Sequence, residues 1–129
     1  MVVAAGLAVD AYVHAHLADD FDAIHAAISQ GSLFRVEAGV AAALALLTLL
    51  VRRRAVLVAV VLVAGSALGA VLLYRYVNVG RLGPLPNMYE PVWYFQKSLS
   101  AVGEAAAFAA GLLLMVFSDA SDRKPWRAR

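Results

Sequence analysis

Four ionisable side chains lie within segments that are otherwise apolar: Asp10, His14, Glu37 and Glu104. Placing a charged group at membrane depth costs roughly 2.5–3.5 kcal/mol or more, so such groups are candidates for function. Asp10 and His14 are four residues apart and share one face of a helix. All four fall in the outer half of the predicted spans, where they could form a substrate-binding or proton-coupling site.

Two carboxylates beside an imidazole form a ligand set that suits a divalent metal such as zinc, manganese or iron. The metal ligands would be Asp10, His14 and Glu104. The chain lacks the Glu-x-x-His repeat of di-iron bundles, however. In the alternative, Glu37 and Glu104 only stabilise the fold by pairing with a nearby base among Arg35, Arg75, Arg81 and Lys97.

Other cofactors are disfavoured by the chain's histidines and cysteines. A transmembrane haem usually takes axial ligands from more than one span, whereas His14, His16 and His25 all lie within or just after the first. The sequence contains no cysteine, which rules out disulfides and iron–sulfur ligation by thiolates. The cofactor therefore stays unknown, with a divalent metal as the candidate.

The segments that carry these residues are long and apolar. Hydrophobic residues make up 63% of the 129 residues and charged residues 16%, against about 45–50% and 25% in soluble domains. A helix needs about 20 apolar residues to cross the bilayer. The sequence predicts an all-α, single-domain integral membrane protein, a four-helix up-and-down bundle with a structured external loop cap. Its predicted spans are residues 2–18, 34–51, 55–77 and 98–117.

Basic residues predict the orientation of these spans. Arg52, Arg53 and Arg54 form the turn 52–54, and the tail 118–129 is also basic. Short loops rich in Lys and Arg face the cytoplasm. We therefore expect a multi-pass protein with both termini cytoplasmic and with external loops 19–33 and 78–97. The richness in Ala, Val and Arg indicates a bacterium, and hence the inner membrane.

The two external loops differ in character. Phe21, Ile24 and Ile28 follow a helical spacing, which predicts a short interfacial helix over 19–32. Pro84, Pro86 and Pro91 prevent a continuous helix in the second loop. Its aromatic residues either anchor the last span at the headgroups or fold over the outer mouth as a ligand lid. In the second case the contact candidates are Arg75, Arg81, Tyr89, Glu90 and Trp93.

Small residues predict where the spans pack closely. Gly65 and Gly69 are four apart in the third span, and Gly103, Ala107 and Gly111 repeat this spacing in the fourth. Such spacing lets two helix backbones approach each other. The favoured interpretation is packing within one chain.

The functional prediction rests mostly on missing motifs. The chain has neither a nucleophile–base pair of known spacing nor a phosphate loop, which gives no positive indication of an enzyme. Its basic residues cluster at helix ends, so we expect no nucleic acid partner. The first hypothesis is an accessory or assembly subunit of a larger membrane complex, acting through a protein partner or as a homo-oligomer in the bilayer. The alternatives are an oligomeric carrier of a small solute or ion, and a metal-dependent membrane enzyme.

Overall fold

The computed structural model describes residues 1–122, with side chains described as far as Ser118. It contains four helices, α1 (Val2–Leu17), α2 (Gln30–Leu50), α3 (Arg54–Tyr76) and α4 (Phe95–Asp122). Residues 1–122 include no strand, only isolated bridges between His25 and Ser29 and between Leu82 and Leu85. The all-helical prediction is confirmed. Most of the predicted cytoplasmic tail, from residue 123 onward, lies outside the described residues.

Three of the helices are long and apolar enough to cross a membrane: Gln30–Leu50, Arg54–Tyr76 and Phe95–Ser118. The fourth apolar helix, α1, has 16 residues, which gives it a length of about 24 Å at 1.5 Å per residue. It is therefore somewhat shorter than the ~30 Å hydrocarbon core of a bilayer.

The start of α2 corrects the expectation for the first loop. Residues 19–29 form turns and bends rather than the predicted interfacial helix, and α2 begins at Gln30, four residues before the predicted span. The backbone N–H groups of Gln30 and Gly31 donate to the carbonyl oxygens of Ile24 and Phe21. The loop thus supplies acceptors for the N–H groups that a helix start leaves unpaired. Because residues 30–32 begin α2, they cannot end a helix over 19–32.

Two side-chain contacts hold this loop against α2. Ser29 caps the helix, since its Oγ accepts a hydrogen bond of 2.9 Å from the Ser32 N–H. Arg35 donates to Asp19 at 2.6 Å and to Asp22 at 2.7 and 2.9 Å. The loop also contacts the second loop, where the Pro84 carbonyl accepts from the Ile28 N–H. Both loops are therefore ordered against each other.

The helices pack unequally. α1 packs along α2 on one side and α4 on the other, α4 also packs along α3, and α2 and α3 touch much less. The main hydrophobic cluster gathers side chains from all four helices: Val3, Leu7, Ala41, Leu44, Ala45, Val60, Ala64 and Ala107. These residues lie toward the end of the helices where the Arg52–Arg54 turn is found.

Glycines allow the closest helix contacts. A Cβ added to Gly6 of α1 would lie 2.5 Å from the Gly103 carbonyl oxygen of α4. Gly65 of α3 packs against the Phe108 ring of α4, and Gly111 of α4 faces side chains of α3. Gly69 meets no atom within 4 Å. Of the four glycines predicted to lie where helices pack, Gly65, Gly103 and Gly111 therefore contact another helix of the same chain.

Candidate functional site

Asp10, His14 and Glu104 come together between α1 and α4. One ligand atom from each lies within 4.8 Å of the others. Asp10 and Glu104 are each only 1% exposed. The His14 ring is also largely buried, and it lies perpendicular to the ring of Phe34 of α2 with ring centroids 4.9 Å apart. Three of the four predicted residues therefore form one buried cluster.

Hydrogen bonds orient the members of this cluster. His14 Nδ1 lies 2.8 Å from Asp10 Oδ1 and 3.1 Å from the Asp10 carbonyl oxygen. In the tautomer with a hydrogen on Nδ1, the ring donates to Asp10. Glu104 Oε2 is buried and has no hydrogen-bond partner. The cluster thus contains one buried acceptor without a partner.

Ser100 joins the two carboxylates and was not among the predicted residues. Its Oγ lies 2.8 Å from Asp10 Oδ1 and 2.9 Å from Glu104 Oε1. A hydroxyl has one hydrogen, so it can donate to only one of the two carboxylates at a time. The sequence does contain one indication of this role. Ser100 precedes Glu104 by about one helical turn, which places both side chains on the same face of the helix.

The close approach of α1 and α4 brings these groups together. Gly103 immediately precedes Glu104 and faces Gly6 of α1 at backbone contact. The same rotation of α4 that turns Gly103 toward α1 also buries Ala107 and Ser100. The small residues therefore determine which α4 side chains reach Asp10.

Glu37 of α2 lies beside the cluster, with its carboxyl next to that of Asp10. Its Oε1 is buried and has no hydrogen-bond partner. Gln30 lies about two helical turns before Glu37 in α2. It is 5% exposed, and its Oε1 also has no hydrogen-bond partner. Gln30, like Ser100, was not predicted as part of a site.

A cavity of about 200 Å³ lies between the cluster and the second loop. Its polar lining residues are His14, Gln30, Glu37, Glu90, Lys97 and Ser100. Most of the remaining wall is apolar or aromatic, with Val13, Leu17, Phe34, Val71, Tyr74 and Tyr94 among its residues. Burial, and next the Glu90 carboxylate, raise the pKa of Tyr94. The cavity thus combines a mostly apolar and aromatic wall with a few polar side chains.

The basic residues near this region contact other groups. Arg35 pairs with Asp19 and Asp22, and Lys97 Nζ donates to the Glu90 carbonyl oxygen. The alternative in which Glu37 and Glu104 pair with a base is wrong for the described part of the chain, where neither carboxyl contacts an arginine or lysine. Arg75 Nε is buried and has no hydrogen-bond partner.

The predicted contact residues of the second loop take different positions. Arg75 lies over the rings of Tyr76 and Trp93, at 4.9 and 5.9 Å from their centroids. Arg81 donates to the Gly83 carbonyl oxygen inside the loop, and Tyr89 is 38% exposed. Only Glu90 of this set lines the cavity. The loop therefore covers the cavity mainly through other residues, such as Met88 and Tyr94.

The remaining histidines lie away from the cluster. His16 stacks on Tyr12 with ring centroids 5.7 Å apart, and His25 lies in the first loop beside Ser29. Ser100 contacts the carboxylates rather than His14. Serine, histidine and aspartate therefore do not form the hydrogen-bonded series of a hydrolase triad. The arrangement is suited to holding a cation.

Comparison with protein-family models finds no match. Comparisons with curated proteins and with solved structures find no significant match either. The functional argument therefore rests on the geometry of this chain.

Proposed function

We propose that this chain is a multi-pass membrane protein that binds a divalent metal ion through Asp10, His14 and Glu104. The observation that carries the proposal is the convergence of one nitrogen and two carboxylate ligands within 4.8 Å, at a buried position without an arginine or lysine. Two buried carboxylates need positive charge nearby, because unpaired buried charges are costly. A metal ion would supply it.

The spacing is close to what a metal requires. Bonds of about 2.0–2.2 Å in tetrahedral geometry place two ligand atoms about 3.3–3.6 Å apart, so a pair at the 4.8 Å limit of the cluster would close by a little over about 1 Å. Ser100 would orient the carboxylates from outside the ligand set, as such neighbours commonly do. Carboxylate and imidazole ligands favour zinc, manganese or iron.

Metal analysis of the purified protein tests this proposal. The protein would be gently solubilised from cells grown with added zinc and manganese, and compared with Asp10→Asn, Glu104→Gln and the double variant. We expect about one metal ion per chain in the wild type and loss in the variants. Asp20→Asn is the matched control, because Asp20 is an exposed carboxylate of the first loop. Metal-free wild type, or variants that keep the metal, would refute the site.

We also propose how the chain sits in the membrane. The four helices form an up-and-down bundle in the bacterial inner membrane, with loops 19–33 and 78–97 outside and both termini in the cytoplasm. The three long apolar helices and the arginine turn 52–54 support this arrangement. The site then lies in the outer half of the bundle, beneath the ordered loops.

Labelling of single cysteines tests the orientation, because the chain has none of its own. A membrane-impermeant maleimide should label Asp20→Cys and Asn87→Cys in intact cells. It should label Arg53→Cys only after the membrane is opened. The reverse pattern would invert the proposed topology.

The accessory-subunit role is our proposal for how the cell uses the site. The packing supports binding more directly than transport, because hydrophobic side chains from all four helices pack together below the cluster. Large apolar side chains on the outer faces of α2 and α4, such as Val36 and Val102, are free to contact lipid or a partner helix. Crosslinking from Val102→Cys in native membranes should yield one discrete adduct if a partner helix packs there.

A further inference from the structure

The cavity beside the metal site contains two buried acceptors without donors. Gln30 Oε1 and Glu37 Oε1 belong to residues that line the cavity, and neither has a hydrogen-bond partner. Leaving a buried polar atom unpaired is unfavourable. Both atoms accept hydrogen bonds, so an occupant that donates them would satisfy this end of the cavity.

The charges around the cavity distinguish its two ends. At the end nearest the second loop, Lys97 and Glu90 lie close together, and the Lys97 ammonium donates to the Glu90 carbonyl oxygen. Arg75 also acts electrostatically on Lys97, so this end holds two basic groups beside one carboxylate. Glu37 is not paired with an arginine or lysine of the described chain. The buried acceptors of the cavity that lack a donor therefore belong to Gln30 and Glu37.

The walls and the size restrict the occupant further. Phe34, Tyr74 and Tyr94 contribute aromatic rings to the lining, and the faces of such rings attract cations. A volume of about 200 Å³ is smaller than the ~300–1,000 Å³ of pockets for drug-sized ligands. We propose that this cavity binds a small organic amine, whose ammonium contacts Glu37 and Gln30 and whose apolar body lies between the aromatic walls.

This inference goes beyond the proposed metal site and does not depend on it. The metal would use Asp10, His14 and Glu104, whereas the ammonium would use Glu37 and Gln30. In both states Gln30 Oε1 and Glu37 Oε1 are without donors from the protein. An ammonium has three N–H groups and can donate to both atoms, whereas a carboxylate only accepts.

Binding of 2-phenylethylamine to the solubilised protein tests the proposal. Isothermal titration would compare this amine with phenylacetate and 2-phenylethanol, which keep the ring and replace the ammonium by a carboxylate or a hydroxyl. We expect saturable binding of the amine alone. Glu37→Gln should weaken it about 10- to 100-fold, as expected for a lost hydrogen bond to a charged group. Asp20→Asn, which removes an exposed carboxylate, should bind like the wild type.

A second pair of variants keeps the test independent of Glu37. Ala67→Leu places a larger side chain in the cavity wall and should abolish binding. Gly69→Ala on the same helix adds a Cβ that meets no neighbouring atom and should leave binding unchanged. Circular dichroism would establish that each variant is folded.

The titrations would be repeated with metal-loaded and chelator-treated protein. Amine binding by protein that takes up no metal when zinc or manganese is added would refute the metal site and support the cavity proposal. Metal binding without saturable amine binding would support the metal site and refute the amine proposal. Equal affinity for phenylacetate, or unchanged affinity in folded Glu37→Gln, would overturn the amine proposal.

Discussion

Gly6 and Gly103 face each other so closely that a Cβ on either would lie 2.5 or 2.8 Å from the carbonyl oxygen of the other. No side chain fits between the two backbones at this point. The contact determines how α4 is rotated against α1. It therefore determines that Glu104, the next residue, is turned toward Asp10 and His14.

The glycine contact predicts a steep dependence of stability on side-chain size. Gly103→Ala should destabilise the protein by about 1–3 kcal/mol, the usual cost of overpacking a tight contact. Gly69→Ala, where the added Cβ has open space, should leave the stability unchanged or slightly raise it. Thermal unfolding in detergent, followed by circular dichroism, measures both. Equal melting temperatures for the two variants would contradict the close contact.

Ser100 should matter for both stability and the site. Ser100→Ala removes the hydroxyl that bridges Asp10 and Glu104, which should cost about 1–3 kcal/mol because both acceptors stay buried. We also expect metal affinity to fall about 10- to 100-fold, as for other neighbours of metal ligands. Denaturant unfolding and zinc titration measure the two effects. Ser66→Ala is the control, because Ser66 is exposed and bonds only to its own helix.

The two histidines of α1 should behave differently. His14→Gln should weaken zinc binding by at least about 100-fold, because it removes a ligand and not only a neighbouring group. His16→Gln changes the same residue type two positions later, where the ring stacks on Tyr12 instead, and should bind zinc like the wild type. Competition with a chromophoric chelator measures both affinities. Similar losses in the two variants would show that His14 is not a ligand.

The first loop should loosen in acid. The hydrogen bonds from Arg35, and next the one from Ser29, hold the pKa of Asp22 below its ordinary value. A carboxyl with a lowered folded-state pKa stabilises the fold above its unfolded value, near 4, and this contribution is lost as the pH falls through the folded value. Hydrogen exchange of residues 18–33, corrected for intrinsic rates, should therefore show less protection at about pH 3 than at about pH 6.

Substitution at Asp22 separates this effect from general acid sensitivity. Asp22→Asn should lower the protection of the loop at about pH 6 and reduce its pH dependence. Asp20→Asn should keep the wild-type profile, because the structure gives Asp20 no such partner. If both variants matched the wild type, the contact between Arg35 and Asp22 would not order the loop.

Local sequence was sufficient for several features. Four apolar segments predicted the four helices, because hydrophobicity and helix propensity act over neighbouring residues. The spacing of Asp10 and His14 predicted their contact, since residues four apart meet on any helix. Ionisable groups in apolar segments cost free energy to bury, so Asp10, Glu37 and Glu104 could be identified as candidate site residues.

Other features depended on how the helices are placed against one another. Ser100 and Gln30 are uncharged, so their burial carried no comparable signal in the sequence. The partners of Arg35 and Lys97, and the start of α2 at Gln30, follow from loops that fold back onto helix ends. Above all, the meeting of Glu104 with Asp10 and His14 required the rotation of α4 that the Gly6–Gly103 contact imposes. Local sequence determines which residues lie on one helix face, but only the packing of small residues between helices determines which faces meet.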